Sequence, residues 1–179
     1  MGRSLASFIV HQTENDLIRI AIAAMIANLL MLLVFLRSAL DSMLLLLTSV
    51  LSVCATLGLT TALFSWLDPG KGLTFYVPFA AAVLLLAFGS DYNIFTVGHV
   101  WEAAEERPLR GAVMHALPPA VVALTAAGLA LAASFGLLSL VPLLPFRQLA
   151  VAVALGILVD VFVVRALVVP ALLILAGGT

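Results

Sequence analysis

The chain has 179 residues, 64% hydrophobic and only 9% charged, with a formal net charge of −1. A soluble domain carries roughly 25% charged residues, so a soluble globular protein is excluded. The near-zero charge gives no case for nucleic-acid binding, and a single cysteine excludes an internal disulfide framework. What remains is an integral membrane protein, all-α, with five spans packed as a polytopic helical bundle.

The first 16 residues, with Arg3 and His11, read as an extramembrane segment. They lack the apolar stretch and small-residue cleavage site of a signal peptide. No charge occurs between Ile20 and Leu36, between Met43 and Leu67, between Gly72 and Ser90, or between Gly111 and Phe146. A helix needs about 20 apolar residues to cross roughly 30 Å of hydrocarbon. That rule predicts spans at 17–36, 42–67, 73–100, 118–141 and 146–176, forming one transmembrane domain over 17–179. The breaks are short: Arg37 to Asp41, then "WLDPGKG" at 66–72 with turn-forming Pro and Gly beside Trp66, then "VPLLPFR" at 141–147. Short breaks between long helices imply antiparallel neighbours.

One longer polar break runs from Trp101 to about His115, with Glu102, Glu105, Glu106, Arg107 and Arg110. Beyond Pro108, Leu109, Val113, Ala116 and Leu117 fit either an amphipathic interfacial helix or a solvated connector. Charge does not orient the bundle. Arg37, Arg107 and Arg110 fall on one side, and Arg3, Arg19, Lys71 and Arg147 on the other. The bias toward Ala, Val, Leu, Gly and Arg suggests a GC-rich bacterial gene.

The strongest chemical signal is "AFGSDYNIF" at 87–95, which puts Asp91, Tyr92 and Asn93 in the middle of the third span. A charge there costs at least a few kcal/mol, so such residues usually face the bundle interior and carry a function. A carboxyl in that place is either protonated and neutral or ionised and paired, and a group that passes between those states carries protons. The competing reading is a hydrogen-bonding anchor between helices. Tyr92, Thr96 and His99 recur at i, i+4 and i+7, about 100° round the helix from Asp91.

Asp160 and Arg165 form a second intramembrane pair of charges on the fifth span. Five residues apart, they are rotated by about 140° on an α-helix and are expected to seek partners on other helices. Ala123, Ala127, Gly128, Ala132 and Gly136 give the fourth span a smooth face, and Ser52, Thr56 and Gly58 do so on the second. Both read as ordinary packing. Cys54 reads as a small buried apolar residue. His11 and His115 read as surface residues. No metal-ligand spacing, Ser-His-Asp arrangement or phosphate loop occurs, so neither a cofactor nor an enzymatic activity is expected.

"FGSDYNIF", "EAAEERPLRGAVMHAL", "LTAAGLALAASFGLL" and "AVALGILVDVFVVRALVVPALL", in this order, together resemble the MmpL family (mycobacterial membrane protein, large) of the resistance–nodulation–division (RND) transporter superfamily. The stretch "NDLIRI" and then "LLVFLRSALDSMLLLLTSVLS" is similar to the helix that follows the second periplasmic domain of that family. The resemblance covers nearly the whole chain from about residue 12.

It implies a great deal. A full transporter of that family has twelve spans in two pseudo-symmetric halves, each with a porter domain. Proton flow drives export of lipids, siderophores or drugs. Asp91 and Tyr92 match the proton-relay pair of the second half, and the five spans match the last five helices. The 101–117 connector is then cytoplasmic. Asn93, Thr96, Thr125, Asp160 and Arg165 are the candidates for a supporting polar network.

Set against that plan, the chain carries neither porter domains nor a first half. It is expected to be an incomplete half in the bacterial plasma membrane, partnered by the bilayer, by a complementary N-terminal half or another copy of itself, and by hydrophobic or lipid cargo. Pro118 and Pro119 stand where small residues are common in the family and read as a helix start. Ser90 stands where an apolar residue is usual. The alternative function is a non-transporting scaffold, a lipid-sensing bundle or a decayed transporter fragment that keeps the fold.

Overall fold

The computed structural model describes residues 2–168 apart from 37, 71, 106 and 107. It is helical throughout, with no strand among the described residues. Helix α1 spans Gly2–Leu36, α2 Ala39–Leu67, α3 Val77–Ala104, α4 Leu109–Leu138 and α5 Leu144–Val159. A π-helical segment, Asp160–Val168, continues α5. All five predicted spans therefore correspond to helices, and five candidate membrane spans meet the length and composition needed to cross a bilayer.

The ends differ from expectation in instructive ways. Helix α1 begins at Gly2, so the segment before residue 17 is helical and continuous with the first span. Helix α3 begins at Val77 rather than near residue 73, with Pro78 in its first turn, where a missing N–H costs nothing. The preceding turn uses Gly70 and Gly72 at φ 91° and 44°, conformations that a Cβ disfavours. This is the turn that "WLDPGKG" predicts.

The fourth helix starts nine residues earlier than 118. Pro108 is its N-cap, and the Gly111 and Ala112 amides donate to the Pro108 carbonyl at 2.8 and 3.0 Å. Pro118 and Pro119 thus lie inside the helix and do not open it. Proline removes the hydrogen bond to the carbonyl four residues back. Here those carbonyls belong to Met114 and His115, both exposed, so the cost falls at the helix surface. Residues 109–117 are consequently the first turns of α4 and not a separate interfacial helix. Arg37, Lys71, Glu106, Arg107 and residues 169–176 of the predicted fifth span lie outside the described residues, as do the side chains of Arg3, His11, Asp41, Arg110, Leu109, Val113 and Leu117.

Helix α3 packs against all four other helices, and α5 against α2, α3 and α4. The core contains Val53 from α2, Ala81, Leu85 and Leu86 from α3, Ala132 from α4, and Ala152, Val153 and Ile157 from α5. Helix α1 packs on α3 and α2 through a narrow strip that includes Asn28 and Leu32. The many exposed Leu, Ile, Val and Met side chains are what lipid-facing helices require.

Small residues set the helix spacing, though not all those expected. On α4 the buried series is Ala112, Ala116, Ala120, Leu124, Gly128 and Ala132, one every fourth residue. Ala123 and Ala127 are exposed, and Gly136 has open space around it. On α2 Ser52 and Thr56 are buried as expected, whereas Gly58 is exposed and Thr60 takes the next buried place. Cys54 is also exposed, contrary to its reading as a buried residue. At Ala127 and Gly128 the sequence holds two neighbouring small residues, and the helical period admits only one to the interface.

Gln148 fixes the start of α5. Its side chain is buried, with Nε2 donating to the Gly72 carbonyl at 2.9 Å and Oε1 accepting from the Thr74 amide at 2.8 Å. One amide thus satisfies two backbone groups of the α2–α3 turn.

Candidate functional site

Asp91 lies at the midpoint of α3, and three faces of that helix diverge around it. Leu85, Phe88, Gly89 and Tyr92 recur at i, i+3, i+4 and i+7 and line one cleft. Leu86 and Ser90 are buried on a second face, toward α1. Ala87, Asp91 and Phe95, at i, i+4 and i+8, are exposed on the third. The expected inward-facing carboxylate is therefore not what the fold produces. Asp91 points out of the five-helix bundle while the adjacent Tyr92 faces in.

The cleft lies between α2, α3 and α5. Its polar and small members are Ser49, Ser52, Gly89, Tyr92, Gly156 and Asp160. Val53, Leu85, Phe88 and Ile157 complete its apolar walls. Its volume is about 10 Å³. Tyr92 and Asp160, each half-buried and both proposed from sequence, thus share one cavity.

The other candidates are held differently. Thr96 is buried and its hydroxyl donates to the Tyr92 carbonyl at 2.9 Å. His99 has its Nδ1 2.9 Å from the Phe95 carbonyl and its ring 4.3 Å from the Phe95 ring. Both are tied back to their own helix. Thr125 on α4 likewise donates to the Val121 carbonyl at 2.7 Å and does not line the cleft. The side chains of Asn93 and Arg165 lie outside the described residues.

The backbone that carries Asp160 changes one expectation. From Asp160 onward the ladder is π-helical, closing i→i+5. Residues five apart then return to about the same face after one turn. The 140° separation expected for Asp160 and Arg165 belongs to an α-helix and does not apply here. The Asp160 amide still bonds back to the Gly156 and Ile157 carbonyls, so the change of period starts at this residue.

Two groups of residues escaped sequence reading in whole or in part. Ser42, Ser49 and Thr60 join Ser52 and Thr56, already read as packing positions, in a buried hydroxyl rail along α2. Ser42, Ser49, Thr56 and Thr60 donate to carbonyls four residues back at 2.7–3.0 Å. Their heptad-like recurrence was visible as a signal. The second is Asn28 on α1, which is buried and whose Oδ1 accepts a hydrogen bond from the Ser90 hydroxyl. Ser90 also lies 3.0 Å from the Leu86 carbonyl. Ser90 was legible as an unusual polar residue, but nothing in the sequence names its partner.

A wider groove of about 270 Å³ opens between α1 and α3. It is lined by Leu17, Ile20, Phe79, Ala80, Val83 and Leu84, all apolar. No group of His, Cys, Asp and Glu suited to a metal ion occurs among the described residues.

Five helices long and apolar enough to cross a membrane, packed around a small cleft, describe a multi-pass membrane protein. The chain belongs to the MMPL family, whose model matches residues 4–179. It is 35% identical over 148 residues to the apo-petrobactin exporter of Bacillus anthracis, covering 83% of this chain and 20% of the relative. It is 33% identical over 166 residues to the sulfolipid-1 exporter MmpL8 of Mycobacterium tuberculosis, covering 92% of this chain and 15% of the relative. A membrane protein of Streptomyces coelicolor is 40% identical over 136 residues, covering 76% of this chain and 19% of that protein. The chain thus spans about a fifth or less of the length of these curated relatives. These matches place it among multi-pass bacterial membrane proteins.

Proposed function

We propose that this chain is the C-terminal transmembrane part of an exporter driven by the proton-motive force, a carrier and not an enzyme, and that Asp91 is its proton carrier. One observation carries the reading. A carboxyl sits at the midpoint of a membrane-spanning helix, on an exposed face, beside a tyrosine that faces the interior. An ionisable group turned toward lipid costs several kcal/mol unless it is neutralised or covered. A carboxyl in such a place has two tolerated states, neutral toward lipid or charged and met by polar groups of another transmembrane segment, and a carrier that alternates between them moves protons. A complementary N-terminal half is the partner that this face suits best.

In this reading Tyr92 hands the proton inward. It follows Asp91 in the chain, its backbone is fixed by Thr96, and its ring reaches the cleft that also holds Asp160. The cargo class is lipids or hydrophobic small molecules, as the name of the sulfolipid-1 exporter suggests, and the apolar α1–α3 groove has the character to accept an acyl chain.

The test is proton flux into proteoliposomes carrying the chain, with Asp91→Asn beside it. Asparagine keeps the shape but cannot cycle a proton, so flux is expected to fall to the background of protein-free vesicles while membrane insertion is unchanged. Equal flux from both would remove Asp91 from the mechanism and favour a passive bundle.

A further inference from the structure

We propose that the cleft between α2, α3 and α5 is a binding site for a single water molecule, which is held beside Ser49 and Ser52 and joins Tyr92 to Asp160. The proposal deepens the proton-relay reading and rests on it for its function, though not for the site itself.

Size is the first argument. A water needs roughly 10–15 Å³ of accessible space and two to four polar partners. The cleft offers about 10 Å³, so it admits one water and nothing larger. The second argument is its lining. Ser49, Ser52, Tyr92 and Asp160, residues with hydroxyl or carboxyl side chains, line one small space from three different helices. Ser49 and Ser52 are both more than nine-tenths buried. Ser49 spends its only hydroxyl proton on the Leu45 carbonyl, 3.0 Å away, which leaves its oxygen as an acceptor. A hydroxyl so arranged receives a hydrogen bond from a water and cannot compete for the same proton.

The third argument is the role of glycine. The Cβ of an alanine at 89 would find only the Ser49 Oγ within 4 Å, at 3.7 Å, an ordinary contact. The side-chain space at 89 is thus open toward Ser49 and is part of the cleft. At Gly156, by contrast, a Cβ would meet the Leu85 side chain at 2.5 Å. Gly156 is a packing requirement. Gly89 is not, and its missing side chain is what leaves room beside Ser49.

In this site the water donates to Ser49 Oγ and exchanges hydrogen bonds with the Tyr92 hydroxyl and the Asp160 carboxyl. A proton that enters at one end displaces another at the far end, so the water and the hydroxyls are unchanged after each passage. Ser49 and Ser52 are positioning residues and are not themselves carriers.

Gly89→Ala is the decisive variant because it blocks the space without a clash, and alanine favours the helix over glycine. Water-edited solid-state NMR on the chain in bilayers reads the site directly. We expect magnetisation transfer from water to Tyr92 and Ser49 in the wild type, retained in Asp91→Asn and lost in Gly89→Ala, with thermal stability unchanged or raised. In proteoliposomes, Gly89→Ala and the pair Ser49→Ala, Ser52→Ala should each lower proton flux about tenfold, the worth of one lost hydrogen bond. Absence of transfer in the wild type, or its persistence in Gly89→Ala, would overturn the site. Loss of the water signal with full Asp91-dependent flux would overturn its place in the path while leaving the relay intact. Flux indifferent to Asp91 would instead overturn the relay, and the NMR result would still decide the site.

Discussion

Asn28 carries two polar ends into a buried place, and the neighbouring helix supplies a mate for one. Its Oδ1 takes the Ser90 hydroxyl, and its Nδ2 has no hydrogen-bond partner among the described residues. An unpaired buried donor costs about 1–3 kcal/mol. Ser90 has a second acceptor in the Leu86 carbonyl, so it stays satisfied when Asn28 is replaced. The two single variants should therefore behave oppositely. Asn28→Leu should be neutral or stabilising by about 1 kcal/mol, while Ser90→Ala should destabilise by about 1–2 kcal/mol because both ends of the Asn28 amide are then left unpaired. Unfolding in mixed detergent micelles checks the signs, and a loss in both would show that Asn28 earns its place through its amide. Asp91 poses the same kind of question at greater cost. Its identity as the key residue was legible from its place in an uncharged run. Its direction was not, because the helical period places Asp91 and Tyr92 about 100° apart without saying which of them faces in.

Among the elements, α4 and α5 show how small residues fix helix spacing. A Cβ on Gly128 would meet the Val161 side chain at 2.5 Å, so Val161, on the π-helical continuation of α5, would have to shift. Gly128→Leu should lower the melting temperature in detergent, by the equivalent of at least about 1–3 kcal/mol. Gly58 has nothing within 4 Å, so Gly58→Ala should raise stability by up to about 1 kcal/mol through helix propensity. If both glycines responded alike, close packing at Gly128 would not be the reason for its presence. The five spans were readable from charge-free runs because lipid imposes that rule on every span. The start of α4 at Leu109 was not readable, since a Pro-Pro pair normally marks a boundary and here sits where the carbonyls that it strands are exposed. Nor could the π-helical stretch after Asp160 be read, because a change of hydrogen-bond period leaves no mark in composition.

At the scale of the molecule, the bundle presents an ionisable group on its outside and a polar cleft on its inside, separated by the thickness of one helix. The family membership and the pairing of Asp91 with Tyr92 in sequence came from short, specific blocks, and the fold class from charge-free runs. The cleft itself did not, because it is assembled from residues more than a hundred positions apart, Ser49 and Asp160 among them. The account rests on Asp91 being a carboxyl on the outer face of the bundle, open to the membrane interior when the chain stands alone. Carbodiimide labelling measures this directly, since a hydrophobic carbodiimide reacts from the lipid phase with protonated carboxyls that it can reach. With the chain in lipid vesicles at neutral pH, mass spectrometry should find the N-acylurea adduct on Asp91 and not on Asp160, which lies half-buried in the cleft. An unlabelled Asp91, or label on Asp160 alone, would contradict the account.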